Sequence, residues 1–371
     1  MPDILTGVLT EERLQPFLKY LNDKEITDVD WNGKDLWLKN IYSEKIKVPK
    51  EEHNVTPEYI AAITQHIANT VSKRFNKEIP CLEAETEDYR IEALHESAAV
   101  SGRSLCIRKT TKFPRMTYKQ LIEHEYCDAR LLNFLINAVY CGFNIIVCGE
   151  PGAGKTEFAK FLSLYIPNEQ RVVTIEDNLE WHYTTCKPHA DGIEIQVSKN
   201  FDYTAALKAS LRLNPKRLML SEVRSVEAKS LVECWTTGVT GISTIHTDDV
   251  LKVVERLMNM MPTKTEAERL ENNIYNSLDI AVLINTKKIK DEQGEKEQEQ
   301  RCIDQVGLFE RTAGENKARL LYDSGEFVKD IQFSANDIKR FTKNGIEDFF
   351  SITDEIKQYE KMAAETEEID E

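Results

Sequence analysis

One eight-residue string constrains this chain more than any other: Gly-Glu-Pro-Gly-Ala-Gly-Lys-Thr, Gly149 to Thr156. It follows the apolar run NIIVC (144–148) and precedes TEFAKFLSLYI, whose apolar residues recur at helical spacing. A strand that runs through a glycine-rich turn into a helix bends its backbone so that N–H groups converge at the positive end of the helix dipole. Such a cradle takes phosphate. Gly149, Gly152, Ala153 and Gly154 form the turn, Lys155 is placed to reach the β- and γ-phosphates of a nucleotide, and Thr156 to hold Mg2+. The competing reading, an ordinary glycine-rich turn with an exposed lysine, fits the strand–turn–helix setting less well.

From about Asp128 the pattern alternates between strand and helix. The apolar runs NIIVC, VVTI, RLMLSE and ISTIH are separated by helical segments, one of them capped by Asp202 and stopped at Asn214-Pro215. That rhythm predicts an α/β unit: a parallel sheet with helices on both faces. Carboxylates that orient metal and water belong at the C-terminal ends of neighbouring strands. Glu176 and Asp177 end one strand, Glu222 ends another with Arg224 just beyond, and His246 ends a third. For each acid the competing role is a cap on the following loop or helix, and for His246 a satisfied structural histidine. After Met261 a helix, IAVLINT, the hydrophilic insert DEQGEKEQEQ, QVGLFE and ARLLYD read as an extension of the sheet, with a solvated hairpin loop at the insert.

Before this unit lies a smaller α+β domain, expected over residues 1–115. ITDVDWNGKDLWL alternates apolar and polar residues around Asn32-Gly33, a strong hairpin signal. A helix is expected from Pro57 to Phe75, followed by strands in RIEALHESAAV and SLCIRK. Residues 116–127 read as a linker, 128–355 as the phosphate-binding domain, and 356–371 as an acidic tail. The uncharged stretch 131–149 has the length of a membrane span, but Asn133, Asn137, Gly142 and Asn144 interrupt it, so it reads as an amphipathic helix feeding a buried strand. Scattered cysteines without a C-x-x-C pair, and a start without a basic, then apolar leader, point to reduced thiols in the cytoplasm. With 48 Lys+Arg against 63 Asp+Glu, a net charge of −15, a dedicated nucleic-acid binder is disfavoured.

Taken in order, the phosphate loop, TIEDNLEW, SLRLNPKRLMLSEVRS and TTGVTGISTIHTDD resemble the Walker A, Asp, Walker B and His boxes of the traffic ATPases of type II and type IV secretion, conjugation and pilus assembly. The first domain is similar to that of the CpaF/TadA-type branch, so the resemblance covers nearly the whole chain. It implies a RecA-like ATPase domain and a homo-hexameric ring on the cytoplasmic face of the membrane, peripheral to inner-membrane machine proteins. ATP and Mg2+ would bind between the two domains of each subunit. Glu176 and Glu222 would then activate water and coordinate the metal, His246 would lie near the γ-phosphate, and Arg90 and Arg108 would close over the phosphates.

Two departures stand out. Ser221 occupies the position before the Walker B glutamate where the family usually has Gly, and Val239 stands near where a first His usually opens the His box. They keep open a nucleotide-gated scaffold with little turnover, while a DNA-translocating motor is the third reading. His182, Cys186 and His189 carry ligand-type side chains, but as a metal site they are weaker than as loop residues.

Overall fold

A computed structural model gives the fold and describes residues 11–41, 44–86, 88–261, 267–290 and 297–370. The chain divides into two units, residues 1–112 with 288–300, and residues 113–287 with 301–371.

The first unit carries strands β1 (Ile26–Trp31), β2 (Leu36–Asn40), β3 (Lys45–Lys47), β4 (Cys81–Glu85), β5 (Tyr89–Leu94) and β6 (Ser104–Lys109), in spatial order β3-β2-β1-β6-β5-β4. Every pairing is antiparallel. The expected hairpin joins β1 to β2 through a four-residue loop, because Asn32 Oδ1 accepts the backbone N–H groups of Lys34 (3.1 Å) and Asp35 (2.8 Å). Gly33 takes φ +96° there, and a Cβ on it would lie 2.7 Å from the Ser101 carbonyl. The helix Pro57–Thr70 is capped by Thr56, whose side chain accepts from Tyr59 N. It stops short of Phe75 because Ser72 turns to φ +52°. The strand expected in RIEALHESAAV ends at Leu94, where His95 begins a turn that its own Nδ1 and carbonyl stabilise. Ile60, Ile63 and Ile67 pack with Val29, Leu36, Ile91 and Ile107 in one core.

The second sheet comprises β7 (Ile145–Cys148), β8 (Val172–Glu176), β9 (Gly192–Gln196), β10 (Arg217–Val223), β11 (Ile242–Ile245), β12 (Ile280–Lys290), β13 (Glu297–Thr312), β14 (Glu315–Asp323) and β15 (Glu326–Phe327). They order as β15-β14-β13-β12-β7-β11-β10-β8-β9, parallel from β12 to β9. Consecutive residues serve opposite cores: Ile145 and Val147 join one cluster, Ile146 and Cys148 the other. A sheet covered on both faces needs such unbroken apolar strands. The antiparallel β13–β14–β15 ribbon is the expected extension. The hairpin loop expected at the insert falls largely on 291–296, outside the described residues.

The uncharged stretch forms a helix, Ala129–Tyr140, capped by Asp128, and then β7. Its asparagines are structural. Asn133 and Asn137 donate to the carbonyls of Phe350, Phe349 and Ser351, and Asn144 bridges Ser277 O and Gly241 N. No helix among the described residues is long and apolar enough to cross a membrane.

Two segments differ from expectation. Residues 116–127, expected as a linker, contain the helix Tyr118–Glu123, started by a Thr117/Gln120 capping box. Its Leu121 and the following Tyr126 are buried in the second unit's core, so the segment is packed structure. Residues 356–371, expected as an acidic tail, lie almost wholly in the helix Asp354–Asp370. Ile356 is buried there, and Glu360 accepts from Tyr118 N and from the Tyr165 hydroxyl. Local charge outnumbers those anchors in the sequence, but each anchor sits on a buried contact.

Candidate nucleotide-binding site

At the end of β7 the chain turns through Gly149 (φ +149°), Gly152 (φ +79°) and Gly154 (φ +94°) into the helix Lys155–Ser163. A Cβ on Gly149 would lie 2.5 Å from the Ile284 carbonyl, so the neighbouring strand leaves room only for glycine. Ala153 is buried at the base of the loop, and Thr156 is the helix's second residue, half-buried.

Lys155 is 7% exposed, and its ammonium donates to the carbonyls of Gly149 (3.2 Å) and Glu150 (3.0 Å) and contacts His246 Nδ1 at 3.0 Å. Burial pushes its pKa down to about 8, partly opposed by the charge of Glu222. His246 Nε2 lies 2.8 Å from Glu222 Oε1. A carboxylate only accepts, so Nε2 carries the proton and Nδ1 accepts from Lys155. Glu222 Oε2 accepts from Arg224 at 2.9 Å, and Arg224 reaches Asp177 Oδ2 at 2.7 Å. Three sequence-predicted residues, Glu222, His246 and Arg224, thus join Lys155 in one line that ends on Asp177. Burial raises the Asp177 carboxyl, but the Arg224 charge and hydrogen bond outweigh it and hold the pKa below the usual range. The Arg224 guanidinium is held charged above its ordinary value by its hydrogen bond to Glu222 and by Asp177.

Glu176 is placed differently. It is fully buried, and its Oε2 accepts from the backbone N–H groups of Glu180 (2.9 Å) and Trp181 (3.1 Å). Burial raises its pKa to about 8 against those two bonds. Its carboxyl closes the loop after β8, and its neighbour Asp177 reaches Arg224. β8 ends at Glu176, and Asp177 is the first residue of the loop beyond it, so the two neighbouring acids take different surroundings.

Arg90 and Arg108 lie directly opposite each other on β5 and β6, and Arg108 faces Asp28 on β1. Arg108 Nε donates to the buried Asp28 at 2.7 Å, and Arg90 pairs with Glu92 at 3.2 Å. Val239, where a His was expected, packs half-buried against the second core. Cys186 is buried, with its thiol 3.9 Å from the Trp181 carbonyl, and no group of three His, Cys, Asp or Glu able to hold a metal occurs among the described residues. All eight cysteines are free thiols.

Beside the loop, a shallow, half-open depression is lined by Met116, Tyr126, Gly154, Glu157, Phe158 and Arg301, among others. Tyr126 and Phe158 stack at 5.6 Å. Arg301, on β13, donates to the Gly152 carbonyl at 3.0 Å. Sequence reasoning missed Arg301 because it sits in a charged run with no local signal. Asp177 was visible as a strand-ending acid next to Glu176.

The loop, the parallel sheet and the acids at its edge define the class: a RecA-like P-loop nucleotide-binding fold, with a smaller α+β domain before it. A family model described as "Type II/IV secretion system protein" matches residues 80–352, and the chain belongs to that family. Protein VirB11 of Agrobacterium fabrum is 31% identical over 160 residues, 41% of this chain and 45% of its own length. Among solved structures, the ATPase DotB of Yersinia pseudotuberculosis superposes with a TM-score of 0.59 at 13% identity, over 95% of this chain and 93% of that one. The pilus retraction motor PilT with bound ADP superposes with a TM-score of 0.56 at 15% identity, covering 88% and 86%. The chain spans about half the length of the first curated relatives it matches, or less.

Proposed function

We propose that this chain hydrolyses ATP in a Mg2+-dependent reaction and, as a homo-hexamer peripheral to the cytoplasmic membrane, energises a type IV secretion, conjugation or pilus-assembly machine. The observation that carries the reading is the hydrogen-bonded line Lys155–His246–Glu222–Arg224–Asp177 beside a glycine loop of three positive-φ residues. Lys155 supplies the charge for the β- and γ-phosphates. The Thr156 hydroxyl and the Glu222 carboxylate are oxygen donors suited to Mg2+, and each Glu222 oxygen keeps acceptor capacity beyond His246 and Arg224. Bound there, Mg2+ would neutralise phosphate charge. Glu222 and Asp177, both paired with Arg224, are the acids available to orient water, with His246 handing hydrogen bonds between Lys155 and Glu222. Glu176 supports this arrangement as the anchor of the loop that carries Asp177. The nucleoside would lie past Gly154, on the side of the loop where Arg301 reaches the Gly152 carbonyl. Arg90 and Arg108, paired on one sheet face, remain the candidates for a second phosphate clamp.

Steady-state ATP turnover of the wild type beside Lys155→Ala and Glu222→Ala tests the reading. Each substitution should lower kcat/KM by about 10²–10³-fold or more while circular dichroism stays unchanged. Tight ATP binding by a wild type without turnover would instead favour a nucleotide-gated scaffold. Turnover stimulated by DNA with a steep salt dependence would favour a translocating motor.

A further inference from the structure

The arginine at the centre of the site is held at both ends. Its guanidinium bridges Glu222 and Asp177, yet the Arg224 side chain is 52% exposed, so those two contacts act on a long chain open to solvent. Its backbone is fixed by a residue outside the line already described. β10 ends at Val223, and Arg224 and Ser225 lead through Val226 into the helix Glu227–Thr236. The first residue of that helix turns back onto them: Glu227 Oε1 accepts the backbone N–H of Arg224 at 2.5 Å and that of Ser225 at 2.7 Å. The reach, three residues back, is that of the acid in a capping box. Glu227 is 5% exposed and stands in the first turn of its helix, where the aligned peptide dipoles favour negative charge. Ala228 N, donating to the Ser225 carbonyl at 3.1 Å, completes the turn. One buried oxygen thus closes the path from the strand that carries Glu222 to the helix behind it. It does so at the residue whose side chain joins Glu222 to Asp177.

We propose that Glu227 is a positioning residue: by pinning the Arg224 backbone it sets the guanidinium where it bridges Glu222 and Asp177. The claim deepens the ATPase reading and rests on it for its kinetic consequence, while the two hydrogen bonds do not.

The test uses the full chain with three substitutions. Glu227→Met keeps the length of the side chain and removes its acceptors, Glu227→Gln restores one acceptor oxygen, and Arg224→Ala removes the residue acted upon. Glu227→Met should lower kcat about tenfold at unchanged KM, since a displaced positioning group costs rate. Glu227→Gln should return kcat to within about twofold of the wild type. Added to Arg224→Ala, Glu227→Met should cost nothing further in kcat. Wild-type kcat in Glu227→Met, an equal loss in Glu227→Gln, or a full extra loss on the Arg224→Ala background overturns the proposal. Two readouts need no turnover, and the first needs no variant. In hydrogen exchange the Arg224 and Ser225 amides should be protected in the wild type, and exchange at the rate of free amides there removes the contact. In urea unfolding, a cycle of Glu227→Met with Asp177→Asn should show coupling, because both act through Arg224, and strict additivity overturns the positioning role. A wild type without turnover but with that protection and coupling would sink the ATPase reading and leave the positioning role standing.

Discussion

The two sheets of this protein solve different problems. The first is antiparallel, and its strands alternate buried and exposed residues, as β4 and β5 do. The central parallel strands of the second, β7, β8 and β11, are buried throughout, and its edge strand β9 is not. A sheet packed on one face leaves its strand centres available for charge, and there Arg90, Arg108 and Asp28 face one another. A sheet covered on both faces has no such room. Its polar chemistry is pushed to the C-terminal edge, where Asp177, Glu222, Arg224 and His246 lie within a residue or two of a strand end and Lys155 opens the helix after the glycine loop. In the first sheet the charges pair along and across strands; in the second they gather at one edge.

The sharpest way to break this contrast is to remove one arginine from each sheet. Arg224→Ala should lower kcat by about 10²-fold, because both Glu222 and Asp177 lose their shared partner. Arg108→Ala should act mainly on stability, since it strips the buried Asp28 of its ion pair. A kcat loss in Arg108→Ala equal to that of Arg224→Ala would dissolve the distinction and restore Arg108 to the phosphates. Stopped-flow phosphate release beside urea unfolding separates the two outcomes.

A smaller effect comes from the cores. Leu36→Ala in the first unit and Leu135→Ala in the second each empty a fully buried position and should cost about 2–5 kcal/mol. Hydrogen exchange should show protection lost in β1–β6 for the first and in β7–β12 for the second. Loss spread across both sheets in either variant would mean that the cores melt as one.

The smallest effect concerns Glu176. Its pKa is raised by burial from 4.5 to about 8 in the folded protein, so the folded state binds the extra proton between those values. Stability should therefore be greatest below about pH 4.5 with respect to this group and decline as pH rises through 8. Glu176→Gln should flatten that decline in thermal melts, with a modest change in kcat. A melt profile unchanged between wild type and variant would place the proton elsewhere.

Much of this was legible before folding. The glycine loop, the strand-ending acids and the capping residue Asp202 act through near neighbours, so spacing alone exposes them. The hairpin at Asn32-Gly33 was visible for the same reason, though its four-residue loop depended on the Asn32 side chain capturing two amides. Hidden from a linear reading were the packed segment 116–127 and the helix over the acidic end, whose anchors come from residues far away in sequence. Glu176 and Asp177 show the limit most clearly. They are adjacent acids with similar side chains, and only the folded structure, which ends the strand at Glu176 and starts the loop at Asp177, decides which is buried and which meets Arg224.

The sequence by itself determined the phosphate loop, the alternation of strand and helix, and the identity of the acids available at the sheet edge, because each depends on backbone geometry within a few residues. Tertiary structure alone decided that His246 links Lys155 to Glu222, that Arg301 reaches the Gly152 carbonyl, and that Ser221 hydrogen-bonds Tyr203. Those contacts join strands, loops and a helix that are not neighbours in sequence, and their hydrogen bonds exist only once the folded sheet brings them side by side.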